Sequence, residues 1–386
     1  MMPRRPAVLG LAAALLFWFW QFLTVRYNYG GNWTGLFCIG DRMKVPAVVP
    51  GERSYIFAAT YGYDGQFYHL MAHDPWMRRH FATAIDSPAF RYRRILVPAL
   101  AWILALGNQR WIDAAYFTVI LGFAFLGVYW LAQFASRSGL HPAWGLAFVL
   151  TPATITSIDR MLSDIALAAL AVAFALYAAK GPRWALFLVL ACAPVARETA
   201  LPLIAGYSVF LLTRRRFADC AWIAAAMLPA FAWFAFVMQR LQGAPASLYM
   251  GWIPLEGFVD RLFHPILYPL PPAKNALVVA SDYAALAGVA LALIAAAALA
   301  GKRRWDALAS AVYGLALFVI FLRGASVWET PYAFGRVLTP FLLLTALADF
   351  ATRPWLALAP IFLIDPDIGL SLSGQIIGVV RGLTGL

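Results

Sequence analysis

The stretch Gly62-Tyr63-Asp64-Gly65-Gln66-Phe67-Tyr68 sets one carboxylate between two glycines and among aromatic rings. Glycine lets the backbone turn tightly on either side of the acid. From Gly65 the residues can start a short helix, which Pro75 closes. At ~100° per residue, Tyr68 and Met71 fall on the Asp64 side of that helix and His69 and His73 on the other. A lone carboxylate in this setting can take a proton from a hydroxyl group. It can also simply cap the helix that follows, a role in which Asn serves almost as well as Asp.

Other charges extend the chemistry. Asp74, Asp159, Asp164 and Glu198 supply acid, and Arg91, Arg93, Arg94, Arg160, Arg197 and Arg336 supply base. One acid to accept a proton and several arginines to hold phosphate oxygens suit transfer from a phosphate-linked donor. The plainer reading of Arg91, Arg93 and Arg94 is anchoring at a membrane border. Arg197-Glu198 interrupts an apolar run, where charge is costly and usually functional. His69 and His73, spaced i, i+4 with Asp74 adjacent, could chelate a metal, but no third ligand is evident and no glutamate completes a zinc-protease pattern. The expectation is therefore two exposed or interfacial histidines and no metal. Cys38, Cys192 and Cys220 have no paired spacing, which argues against a disulfide framework or a zinc ribbon. No glycine-rich phosphate loop, serine elbow or Cys/His pair appears.

The elements that must position these residues are membrane-grade. Of 386 residues 63% are hydrophobic and 12% charged, with a mean hydropathy of +0.73; a polytopic membrane protein has this composition and a soluble domain does not. The net charge of +12 resides largely in short Arg/Lys clusters beside apolar runs, with no nucleic-acid motif. Arg4 and Arg5 precede an apolar run at 7–25 that lacks a small-residue cleavage site, so it reads as an uncleaved first span with a cytoplasmic N-terminus. A long first external loop, 26–94, follows. Apolar segments then run over 95–107, 111–134, 143–158, 162–179, 184–196 and 198–212, several of them shorter than the ~20 residues of a span. Spans at 218–238 and 276–300 enclose a second external loop at 239–275. Further segments at 306–322, 337–352 and 355–364 lead to a Gly-rich tail. Placing the clusters at 4–5, 214–216, 302–304 and 353 on the cytoplasmic side requires one segment not to cross, and 95–107 is the shortest. The expectation is a single all-α transmembrane domain over 1–386 with about ten or eleven spans. Both loops, Asp159, Asp164, Arg197, Glu198 and Arg336 then share the external face. No internal repeat is visible.

These features resemble the multispanning glycosyltransferases of the GT-C fold, which have a large first external loop with a catalytic acid early in it beside aromatics. The 62–68 stretch looks like the Asp-containing loop of bacterial members that act in cell-surface glycopolymer formation, and more loosely like the tryptophan–aspartate motif of PIG-V-type mannosyltransferases. Asn32-Trp33-Thr34-Gly35-Leu36-Phe37, Arg93-Arg94-Ile95-Leu96-Val97-Pro98, 159–164 and Arg197-Glu198-Thr199 extend the bacterial likeness. Many relatives carry two neighbouring acids in that loop, whereas Asp64 has no adjacent acid. The resemblance implies a GT-C-like bundle in a bacterial plasma membrane and a polyprenyl-phosphate sugar as donor. It implies a glycan or lipid acceptor, surrounding membrane lipids, and no required cofactor, with a divalent metal left open. Asp64 would be the general base. Tyr63, Gln66, Tyr68, Asp74, Arg91, Arg93, Arg94, Asp159, Asp164, Arg197, Glu198 and Arg336 would bind substrate, Arg336 foremost at the donor phosphate. The rival reading, a transporter or flippase of lipid-linked glycan, predicts internal repeats and polar sites at the bilayer midplane; neither shows in the sequence.

Overall fold

The computed structural model describes residues 4–43, 45–48, 53–241 and 249–385; position 44 and residues 49–52 of the first loop, and 242–248 of the second, lie outside them. Among the described residues the chain is helical almost throughout. Helix α1 (Arg4–Asn28) leads into the first loop, which carries a two-residue parallel pair, β1 (Ile39–Gly40) with β2 (Ile56–Phe57), and the short helices α2 (Gly65–His73) and α3 (Pro88–Arg91). Then come α4 (Leu96–Leu104), α5 (Ile112–Arg137), α6 (Pro152–Arg160), α7 (Asp164–Lys180), α8 (Arg183–Ala196), α9 (Leu201–Thr213) and α10 (Phe217–Arg240). The second loop contributes α11 (Glu256–Phe263). The remainder is α12 (Pro272–Gly301), α13 (Ala307–Ile320), α14 (Ala325–Trp328), α15 (Pro331–Asp349), α16 (Pro354–Phe362), α17 (Asp365–Ser371) and α18 (Ser373–Thr384).

Five helices, α1, α5, α10, α12 and α15, are long and apolar enough to cross a membrane, and the bent pair Pro354–Ser371 and Ser373–Thr384 makes a sixth if it is one span. This fits an all-α, multi-pass membrane protein. Helix α4, with nine residues, is ~14 Å long and falls well short of a ~30 Å hydrocarbon core, as its sequence predicts. The apolar run 143–158 is two elements: a 3-10 stretch, Pro142–Leu150, and then α6, each opened by a proline at a position that needs no N–H donor. The 355–385 region departs from a simple last segment and tail: α17 and α18 continue the helical chain, and α18 packs on α1.

The centre of the bundle is α7 against α15. Nearly every residue of both is buried, including the polar and proline positions of α15. A helix that is buried all round belongs to the core, whereas α10 exposes Leu228, Phe231 and Met238 in an apolar stripe. Charges sort to the two ends of the bundle. At one end Arg137, Lys180, Arg304 and Asp306 line a cavity of about 390 Å³, and Arg214 donates to the Trp305 carbonyl at 3.3 Å. At the other end the two polar loops meet Arg197 and Arg336 around a larger cavity.

Candidate active site

The backbone around Asp64 is shaped by its two glycines. Gly62 has a φ of +72°, and a Cβ there would lie 2.4 Å from the Cys38 carbonyl oxygen. Gly65 is needed for closeness: its Cβ would meet the Arg160 carbonyl oxygen at 2.1 Å and that of Phe37 at 2.9 Å. The start of α2 thereby abuts the end of α6, which places Asp64 beside α15. Asp64 occupies the N-cap position, yet its backbone is already helical and its carboxylate makes no capping hydrogen bond. The capping role is not what holds this side chain.

Two arginines hold it instead. Arg91 Nη2 lies 2.9 Å from Oδ1 and Arg336 Nη2 2.6 Å from Oδ2, with the Asp64 side chain 16% exposed. Each arginine has a second acid. Arg91 grips Asp86 through Nε at 2.6 Å and Nη2 at 2.9 Å, and Arg336 Nη1 reaches Asp164 at 3.4 Å. Asp164 also pairs with Arg197. Alongside, Arg94 makes a two-pronged pair with Glu198 at 2.9 and 2.6 Å and donates to the Tyr68 hydroxyl at 3.3 Å. Burial alone would raise the Asp64 carboxyl's pKa, but the Arg91 and Arg336 charges and hydrogen bonds outweigh it and hold the carboxyl well below the usual carboxylate range. Arg336 also lies 5.1 Å from the Tyr63 ring centroid. Burial pushes the Tyr63 phenol up to about 12, so it stays neutral near pH 7.

The cavity, of about 790 Å³, is two-faced. Tyr63, Asp64, Arg91, Arg93, Arg94, Arg197, Glu198 and Arg336 form a polar wall, and Leu201, Pro202, Phe318, Leu322, Val327 and Val337 an apolar one. Tyr249 and Met250, from the second loop, close one side. Arg93 has no carboxylate partner among the described residues, and its Nε, like those of Arg197 and Arg336, is buried without a hydrogen-bond partner. The wall therefore keeps spare N–H donors. It can hold an anionic group at one side and an apolar chain at the other.

Eight of the residues expected from sequence thus meet in one cavity. Tyr68 and Asp164 sit immediately behind it. Asp159 is one layer further back, paired with Arg160 and accepting from the Tyr332 hydroxyl at 2.7 Å; Tyr332 in turn packs edge-on to Tyr63. Gln66 and Asp74 do not belong to the cavity. Gln66 accepts from Gly40 N and donates to the Tyr61 carbonyl, fastening the loop to β1. Asp74 accepts from the backbone N–H groups of Arg78 and Arg79 and closes the turn after α2. His69 and His73 also lie outside the cavity, but they are not exposed: each is 1% accessible and both face Asp113 on α5. Two lining acids were missed. Asp86 precedes a Ser-Pro helix start only five residues from Arg91, a spacing that could have flagged it; Glu329 gave no such signal.

No protein-family model, no curated protein and no solved structure matches this chain. The class that fold and site support is a multi-pass helical membrane protein with an amphipathic, arginine-lined cavity at one end.

Proposed function

We propose that the chain is an integral-membrane glycosyltransferase that takes a sugar from a polyprenyl-phosphate donor and passes it to a glycan or lipid acceptor at the external face. One observation carries the reading: a single cavity joins a carboxylate held between two arginines, Asp64, with further arginines that keep spare donors and an apolar wall, which is the set a lipid phosphate and a reacting hydroxyl would need. The GT-C-like resemblance of the 62–68 stretch supports it, and so does the helix broken at Arg197, since irregular backbone at membrane depth lines cavities. In the reaction the acceptor oxygen attacks the anomeric carbon. The bond from that carbon to the phosphate oxygen breaks, polyprenyl phosphate leaves with the electron pair, and Asp64 takes the hydroxyl proton. Arg336, Arg93 and Arg197 would bind the phosphate and stabilise its leaving charge. The resting Asp64 is a weak base because two arginines hold it. A bound phosphate competes for those arginines and so frees the carboxylate at the moment the donor is in place.

The test is direct. Purified protein is incubated with a radiolabelled polyprenyl-phosphate sugar and an extract of envelope acceptors, and release of polyprenyl phosphate is followed. Donor consumption that depends on Asp64 is expected. Donor that crosses a proteoliposome membrane intact, with no release of polyprenyl phosphate, would establish the transporter reading instead.

A further inference from the structure

We propose a divalent-metal site, with zinc the best-suited ion, formed by His69 and His73 of α2 and Asp113 of α5. His69 Nε2 lies 2.8 Å from Asp113 Oδ1, and His73 Nε2 lies 2.9 Å from the same oxygen. The three candidate ligand atoms all fall within 4.8 Å of one another. The two rings meet edge to face at 4.9 Å between centroids, so their Nε2 atoms converge without stacking.

The hydrogen bonds behind the site fix which nitrogen of His73 is free. His73 Nδ1 is 2.9 Å from Gln109 Oε1, and the Arg79 guanidinium donates to that same atom. A guanidinium has no acceptor, so this atom must be the amide oxygen, and His73 Nδ1 must carry the proton it donates. In the neutral ring Nε2 is then a lone pair aimed at a carboxylate oxygen. Two acceptors at that distance need a cation to reconcile them, either a second proton between them or a metal ion to one side that both bind. A metal serves both Nε2 atoms and the carboxylate at once, and His73, which donates its other N–H to a fixed oxygen, is held as metal-bound imidazoles are, whereas His69 Nδ1 is buried without a hydrogen-bond partner. Two imidazoles and one carboxylate suit zinc, which takes a fourth ligand from water or the second carboxylate oxygen. The Asp113 side chain, 18% exposed, leaves a way in. Phe37 stacks on the His69 ring at 4.2 Å and shields the other face.

None of the three residues lines the arginine-walled cavity. The ion is therefore a structural clip. It ties the far end of α2, the helix that begins at Asp64, to α5, and does not depend on the proposed reaction. The measurement is metal content of the full-length protein purified in detergent, read with its melting temperature. About one zinc per chain is expected, with a lowered melting temperature after chelation that zinc restores and magnesium does not. His73→Ala and Asp113→Asn should each abolish the zinc, and cobalt should give the visible absorption of a tetrahedral site in the wild type alone. If the wild-type protein, soaked in zinc and desalted, holds below ~0.1 ion per chain and melts identically with and without chelator, the cluster is a proton-bridged ion pair and the proposal is overturned. Zinc retained undiminished by His73→Ala would overturn it equally. The wild-type comparison stands even where a variant does not fold.

Discussion

At Asp64 the ion pairs and the proposed chemistry pull in opposite directions. A carboxylate held by Arg91 and Arg336 is ionised at any physiological pH, which suits a proton acceptor, yet its affinity for a proton is low. If donor phosphate draws those arginines away, the carboxylate becomes more basic in the complex than in the free protein. The acid limb of kcat should then lie at higher pH than the acid limb of kcat/KM for the donor; coincident limbs would show that the arginines never let go. The same depression sets a stability window. A folded-state value below the unfolded ~3.9 contributes stability that is fully present above that pH and is lost only as pH falls through the folded value. Melting temperature should accordingly show no Asp64-linked loss between pH 7 and about 4. Asp64→Asn keeps size and polarity and leaves Arg91 its pair with Asp86 and Arg336 its pair with Asp164. Folding and donor binding should survive while sugar transfer falls at least ~100-fold. Transfer within a few-fold of wild type would remove Asp64 from the mechanism. Arg93 offers a complementary measurement, because no acid of the described chain competes for it. Arg93→Ala should weaken donor binding with little effect on melting, whereas Arg336→Lys should disturb both, since a lysine cannot bridge Asp64 and Asp164 as the planar guanidinium does.

Among the elements, α2 is the lever. Its first residue is wedged against the Arg160 carbonyl, and its last turn is fastened to α5 through Asp113. Gly65→Ala adds one methyl where there is no room, and overpacking of this kind costs about 1–3 kcal/mol. The expected result is a lower melting temperature and reduced transfer together, because α2 and Asp64 must shift with it. An unchanged protein would mean that the α2–α6 contact is looser than its geometry. The reach of the sequence is clearest on this helix. Asp64 and its aromatic flank stand out because the glycines and the local spacing mark them, and the arginines because charge is conspicuous in an apolar chain. Asp113 was invisible as a partner: it reads as an ordinary acid in the first turn of a helix, and it meets His69 and His73 across 44 and 40 positions. The i, i+4 histidines consequently read as surface residues. Gln66 enters the expected site with the 62–68 stretch and Asp74 as one of the acids of the external face, whereas α2 carries Asp74 to its opposite end and turns Gln66 toward β1.

Over the whole molecule, two charged cavities lie apart, one lined by Arg137, Lys180 and Arg304 and the other by Asp64, Arg91 and Arg336. A cysteine placed at position 53 on a cysteine-free background should react with an impermeant reagent from the side opposite 214–216; labelling from the same side as 214–216 would invert the arrangement. The Gly-rich tail forms helix α18, which packs on α1. Gly378 and Gly382 lie where a Cβ would strike Asn28 and Tyr27, so they are small in order that α18 can touch α1. Asn28 seals that contact with a bond to the Gln375 carbonyl, 347 positions away. That separation has a temporal meaning. At the ~5–20 residues per second of synthesis, α1 enters the membrane roughly 20 s to a minute before its partner exists. Through that interval the flank of α1 that α18 will cover faces lipid or an insertion chaperone. Assembly is thus clasped late, by a joint between distant parts of the chain, and a protein lacking α18 should reach the membrane normally yet be cleared by quality-control proteases faster than the intact one.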